Sequence, residues 1–117
     1  MITIAEMSDR EILNGVIPIM DNLMQGSAEI DYAKHTRDFT ERMKAQLSPE
    51  RLESICRDYQ AKIGRFGPRE IVRLFRREHS VAVVWRQLAT GSQDEFVAEA
   101  VFVPAGDSWR IDHAMVF

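Results

Sequence analysis

The chain is expected to fold as an α+β protein, with three N-terminal helices packed on a curved, four-stranded antiparallel meander. Three observations carry this expectation. Apolar residues recur with a helical period up to Gly64 and with a period of two beyond Pro68. The strand-like runs are joined by connections too short for anything but antiparallel hairpins. The 117 residues suffice for one domain, 1–117, with a single core.

The first helix starts at Ser8, which forms a capping-box pair with Glu11, while Met7 and Ile12 stand at hydrophobic-staple spacing. Ile12, Leu13, Val16, Ile17, Met20, Leu23 and Met24 follow with helical period. Pro18 removes a hydrogen bond to Asn14 and predicts a bend. Gly26 suits the left-handed position that ends a helix. The second helix, over 31–47, takes Asp31 as its cap and sets Tyr32, Phe39, Met43 and Leu47 on one face, with a break near Phe39-Thr40. Ser48-Pro49 opens the third, because proline at the first helical position loses nothing by lacking an N–H. Its buried stripe is Leu52, Ile55, Cys56, Tyr59 and Ile63, and Gly64 stops it.

Strands are predicted at 69–77, 80–89, 94–104 and 108–116, with turns at Glu78-His79, Thr90-Gly91-Ser92-Gln93 and Ala105-Gly106-Asp107. Folding the last hairpin about Ala105-Gly106 pairs Phe102 with Trp109, Ala100 with Ile111, Ala98 with His113 and Phe96 with Met115. The middle hairpin sets Trp85 near Ala98 and Val83 near Ala100. The first sets Val72 near Trp85 and Leu74 near Val83. One apolar face results, which also takes in Ile111, His113 and Met115, and it should meet the helices. Trp85, Ala98 and His113 run across its middle with Ala100 beside them, so room for a cavity is expected above the third strand. The opposite face mixes Arg73, Phe75, Val84, Arg86, Val97, Glu99, Val101, Arg110, Asp112 and Ala114. Glu99 falls opposite Asp112, with Arg86 and Arg110 diagonal to them. The apolar members of this face predict a homodimer formed through Phe75, Val84, Arg86, Val97, Glu99, Val101 and Arg110.

Composition excludes several classes. Hydrophobic residues make up 45% and charged residues 28%, within the range of globular proteins. A net charge of -3 argues against a nucleic-acid partner. The basic run over 65–77 reads as a solvated strand face diluted by Glu70. Acidic residues over 1–11 do not suit a secretory signal, and the apolar stretch 12–24 is broken well short of the ~20 residues of a membrane span. A cytoplasmic protein without a membrane partner is expected. The single cysteine, Cys56, excludes an internal disulfide and reads as buried and inert. With only 3 histidines, no metal site and no cofactor are expected.

The helices, the glycine closing the third, and the terminal pattern Trp109-Arg110-Ile111-Asp112-His113 together resemble the nuclear-transport-factor-2-like superfamily, the cystatin-like α+β cone. The stretch from Leu47-Ser48-Pro49-Glu50 through Lys62-Ile63-Gly64-Arg65-Phe66 is similar to small bacterial members without an assigned function. The resemblance implies a pocket between helices and sheet and pairing through the outer sheet face. It spans isomerases, dehydratases, cyclases, hydrolases, binding domains and transport adaptors, so it implies no single activity. Its enzymes commonly use an Asp–His pair, or an Asp base with a Tyr oxyanion hole. Here no carboxylate falls centrally on the predicted pocket face, and Asp112 alternates outward.

The expected pocket is bounded by Tyr32, Phe39, Tyr59, Trp85 and His113. His113 is the candidate acid–base group, its other role being to end the core on a hydrogen bond. His35 held by Asp38 is a second candidate base if that helix lines the pocket; otherwise the two belong to an exposed face with pairs Asp31–His35 and Lys34–Asp38. His79 falls in a turn. Three functions remain: binding of a small apolar molecule, isomerase- or dehydratase-like catalysis by His113 and His35, and dimerisation or docking through the sheet.

Overall fold

The computed structural model describes residues 3–117. After a short 3-10 turn at Ile4–Glu6, the elements are α1 (Asp9–Glu29), α2 (Tyr32–His35), α3 (Glu41–Lys44), α4 (Pro49–Ile63), β1 (Phe66–Arg76), β2 (Val81–Ala89), β3 (Ser92–Ala105) and β4 (Ser108–Val116). The strands form one antiparallel sheet in the order β1-β2-β3-β4. The α+β class therefore holds, with two short helices where one was expected over 31–47.

α1 begins with the capping box read from the sequence: Glu11 N–H donates to Ser8 Oγ at 3.1 Å, and Ser8 N–H donates to the Glu11 carboxylate at 3.0 Å. Pro18 lies inside the helix on its exposed side. The expected end at Gly26 is corrected, because α1 runs on to Glu29. Ile30 closes it in the left-handed conformation at φ 53°, the one non-glycine residue with positive φ among those described. Ile30 N–H donates to the Ser27 carbonyl and Asp31 N–H to that of Gly26, the paired bonds of a Schellman end. A β-branched residue there stores strain of roughly 1–3 kcal/mol. Gly26 is spent elsewhere: a Cβ on it would lie 2.6 Å from the backbone nitrogen of His35, so its missing side chain lets α2 cross α1 closely.

Asp31 caps α2 through Lys34 N–H, Thr40 caps α3 through Met43 N–H, and Ser48 caps α4 through Arg51 N–H. Between α2 and α3 the backbone leaves the helical layer and pairs with the edge of β4. Ile111 N–H donates to the Asp38 carbonyl at 2.7 Å, Thr40 N–H donates to the Ile111 carbonyl at 2.9 Å, and Phe39 forms a parallel bridge with Ile111.

The middle hairpin has the expected register, with Trp85 opposite Ala98 and Val83 opposite Ala100. The first keeps Leu74 opposite Val83, but a bulge between Ile71 and Arg73 sets Ile71 opposite Trp85 and leaves Val72 63% exposed. A second irregularity, between Phe66 and Arg69, is bridged by the fully buried Gln87, whose amide donates to the carbonyls of Gly67 and Leu88 at 2.8 and 2.9 Å. The last hairpin departs furthest. Its loop is only Gly106-Asp107, with Gly106 at φ 60° as a tight two-residue turn requires, so Phe102 faces Ile111 rather than Trp109. A bulge beyond Ile111 then shifts the pairing again, placing His113 opposite Val101 and Met115 opposite Glu99.

The core lies between α1 and the sheet. Ile12, Val16 and Met20 are fully buried against a sheet face that includes Val83, Trp85, Ala98, Ala100 and Phe102. Ala98 and Ala100 are 0% and 1% exposed, so the space expected above them is filled by packed side chains. The basic run is likewise not a plain solvated face. Arg69 reaches back to Asp21 and over the Trp85 ring, and Arg76 reaches Asp9 and the Ile4 carbonyl, tying β1 to the N-terminal part of the chain.

Gly26→Ala tests the crossing of α1 and α2. Helix propensity favours Ala by about 1 kcal/mol, but overpacking against an unyielding backbone costs about 1–3 kcal/mol. Net destabilisation is expected as a lower urea midpoint, and an unchanged or raised midpoint would contradict the close crossing.

Candidate functional site

A cavity of about 480 Å³ opens between the helices and the far half of β4. Leu23, Met24 and Ser27 of α1 form one wall, and Leu52, Cys56 and Tyr59 of α4 another. His35, Phe39 and Met43 from the segment between close a third side, and Ala114 and Val116 of β4 the fourth. The lining is apolar for a local reason. Leu23 and Ser27, like Leu52, Cys56 and Tyr59, stand three or four residues apart on one helical face. The β4 bulge aims Ala114 and Val116 toward the helices.

Of the residues expected here, Phe39 and Tyr59 line the cavity. Tyr32 spends its hydroxyl on the Leu47 carbonyl at 2.6 Å. Trp85 is 2% exposed within the α1–sheet core and lies outside the cavity lining. His113 is on the opposite face of the sheet, where its Nε2 meets the Glu99 carboxylate at 2.7 Å. Asp112 does not face Glu99; it accepts hydrogen bonds from Thr40 Oγ1 at 2.7 Å and from Arg42. Arg86 pairs with Glu70 and Glu95, and Arg110 donates to the Arg37 carbonyl. His79 is exposed in its turn.

His35 does line the cavity, without Asp38, whose carboxylate is engaged by Arg37. Lys34 pairs with Glu29 instead. The imidazole Nδ1 lies 3.1 Å from the Leu23 carbonyl, and the ring packs edge-on to Phe39. A carbonyl only accepts, so Nδ1 carries the proton and Nε2 holds a lone pair in the neutral ring. Burial pushes the His35 pKa down, and the bond to the Leu23 carbonyl offsets that in part.

A polar cluster occupies the wall shared by α1 and α4. Ser27 Oγ lies 2.7 Å from Tyr59 Oη and 3.5 Å from Cys56 Sγ, and Gln60 Nε2 donates to Tyr59 Oη at 3.3 Å. The Tyr59 ring stacks on Phe66 with centroids 4.5 Å apart. Ser27 lies beyond the expected end of α1 at Gly26, so the sequence reading does not place it in the site. The available signal was a serine continuing the Met20, Leu23, Met24 stripe. No Asp, Glu, Lys or Arg lines the cavity. Among the described residues, no three His, Cys, Asp or Glu side chains gather as metal ligands, and no helix is long and apolar enough to cross a membrane.

The depressed His35 pKa predicts a pH dependence with a definite sign. The unfolded chain binds a proton at about pH 6.5, while the folded chain resists protonation until a lower pH. The stabilising contribution is therefore complete above about pH 6.5 and falls as pH drops toward the folded value. In urea unfolding between pH 7.5 and 5, the wild-type chain is expected to lose more stability than His35→Asn. Equal losses would remove the buried, neutral assignment.

No family model matches the chain, and no curated protein does. Solved structures share its fold. One is a putative calcium/calmodulin-dependent protein kinase type II association domain from Thiobacillus denitrificans, at 12% identity and a TM-score of 0.59, the match covering 83% of this chain and 89% of that one. Another is Bd1075 from Bdellovibrio bacteriovorus, at 13% identity and a TM-score of 0.52, covering 86% of this chain and 38% of that longer one. At such identities the likeness is one of fold.

Proposed function

We propose that the chain is a single nuclear-transport-factor-2-like domain that binds a small apolar molecule between its helices and β4. The observation that carries this reading is the cavity of about 480 Å³, walled by apolar side chains with a few convergent polar groups, the usual character of a small-molecule site. The element order and the fold shared with the association domain support the superfamily assignment. Acid–base catalysis is the weaker reading, since His35 would have to act without a carboxylate in the cavity. A cytoplasmic setting accords with the free thiol of Cys56.

A second observation favours self-association through the outer sheet face. Phe75, Val97 and Met115 are 48%, 36% and 51% exposed there, with Val84 and Val101 half-buried between them. The face mixes these apolar side chains with charged ones, and a two-fold dimer would cover its exposed apolar members.

Ala114→Phe, which places a ring in the cavity, should weaken binding of the neutral dye N-phenyl-1-naphthylamine by about tenfold or more, equivalent to about 1.4 kcal/mol. Fluorescence titration measures this, and a variant that binds as tightly as the parent would sink the cavity reading. Sedimentation should find the parent dimeric and Val97→Asp, set between Glu95 and Glu99 in sequence, monomeric. A parent that stays monomeric at high concentration would end the dimer reading.

A further inference from the structure

We infer that the cavity selects an uncharged molecule with an apolar body and one oxygen, of a ketone or an alcohol, that accepts a hydrogen bond from the Ser27–Tyr59–Cys56 cluster. This rests on the binding reading above and specifies its ligand class. The argument is a count of protons. Tyr59, Ser27 and Cys56 bring one hydrogen each on oxygen or sulfur. Their contacts, Ser27 with Tyr59 at 2.7 Å and Ser27 with Cys56 at 3.5 Å, consume one hydrogen apiece. Gln60 enters the cluster only as a donor, and its amide nitrogen also serves the carbonyls of Ser27 and Ala28. One hydrogen is therefore left without an acceptor among the described residues, on side chains that line the cavity.

The rest of the lining sets the charge. A carboxylate ligand would find no cationic side chain in the wall, and an ammonium would find no carboxylate. His35 presents no second donor to an anion, because its Nδ1–H is committed to the Leu23 carbonyl and Nε2 carries a lone pair. Leu23 and Ser27 are one helical turn apart, so the carbonyl that holds His35 and the Ser27 hydroxyl of the cluster lie on the same face of α1. Tyr32 contributes nothing, its proton being held by Leu47. Gln46, the remaining polar side chain of the lining, sits at the exposed mouth. Burying an unpaired charge here would be far more costly than burying a neutral oxygen that meets a waiting donor.

Displacement of N-phenyl-1-naphthylamine by four ten-carbon probes at pH 7.5 tests this. 2-Decanone should compete several-fold better than decane, and at least about tenfold better than decanoate or decylammonium. The advantage over decane should vanish in Ser27→Ala/Cys56→Ala/Tyr59→Phe, which removes all three hydrogens, with circular dichroism and melting reporting whether that variant is folded. Should it fail to fold, the wild-type probe series decides alone. Decanoate or decylammonium binding as well as the ketone would overturn the inference, and so would decane matching the ketone, while both results would leave the cavity reading intact. If neither dye nor probe binds, the cavity reading itself fails and this inference falls with it.

Discussion

The structure depends on the backbone of Ile111. Its N–H and carbonyl both turn away from β3 and bond to residues 38–40, which lie along β4 like a short parallel strand. An edge strand otherwise presents unpaired donors and acceptors to solvent or to other chains. Here the pairing satisfies the edge at Ile111 and anchors the loop between α2 and α3 on the sheet. It also buries Phe39 at the cavity wall and leaves Thr40 to do two things. The Thr40 hydroxyl caps α3 and donates to Asp112, so one side chain joins the helical layer to β4.

The β4 bulge follows from the same joint. With Ile111 held by residues 38 and 40, and Asp112 bonded to Thr40 and Arg42, one residue is taken out of the pleat. Side chains beyond it change face, as a one-residue shift requires. Ala114 and Val116 turn inward, small enough to leave the cavity open, while His113 turns outward to Glu99. The cavity therefore lies beyond the tightly packed alanines of β3, where the helices splay from the sheet's last strand.

Polar contacts elsewhere divide by burial. The pairs of Arg57 with Glu53 and Lys62 with Asp58 are exposed i,i+4 pairs that contribute little. Arg69 differs, with its side chain only 12% exposed between Asp21 and the Trp85 ring. In the cavity wall the Ser27–Tyr59 contact spans α1 and α4, fixing their separation through a short hydrogen bond as well as through packing.

Local signals were legible throughout. Ser8 with Glu11, Ser48 with Pro49, and the stop at Gly64 were each readable because caps act within a few residues. The strands and the middle register were readable because alternation and a short loop determine them together. Tyr59, on α4, could be named as a cavity residue for the same reason. The face of His113 could not, since period-two reasoning assumes an unbroken pleat. Gly26 misled for a parallel reason: its capping aptitude is local, while its actual use is the approach of His35 from α2. Element types, their order and the α1-facing core can be read along the chain, because all of them rest on contacts near in sequence or on hydrophobic period. Where the cavity opens and which side chains reach it emerge from the folded chain, because the pairing of residues 38–40 with Ile111 joins distant parts of the sequence and the adjoining bulge resets the parity of β4.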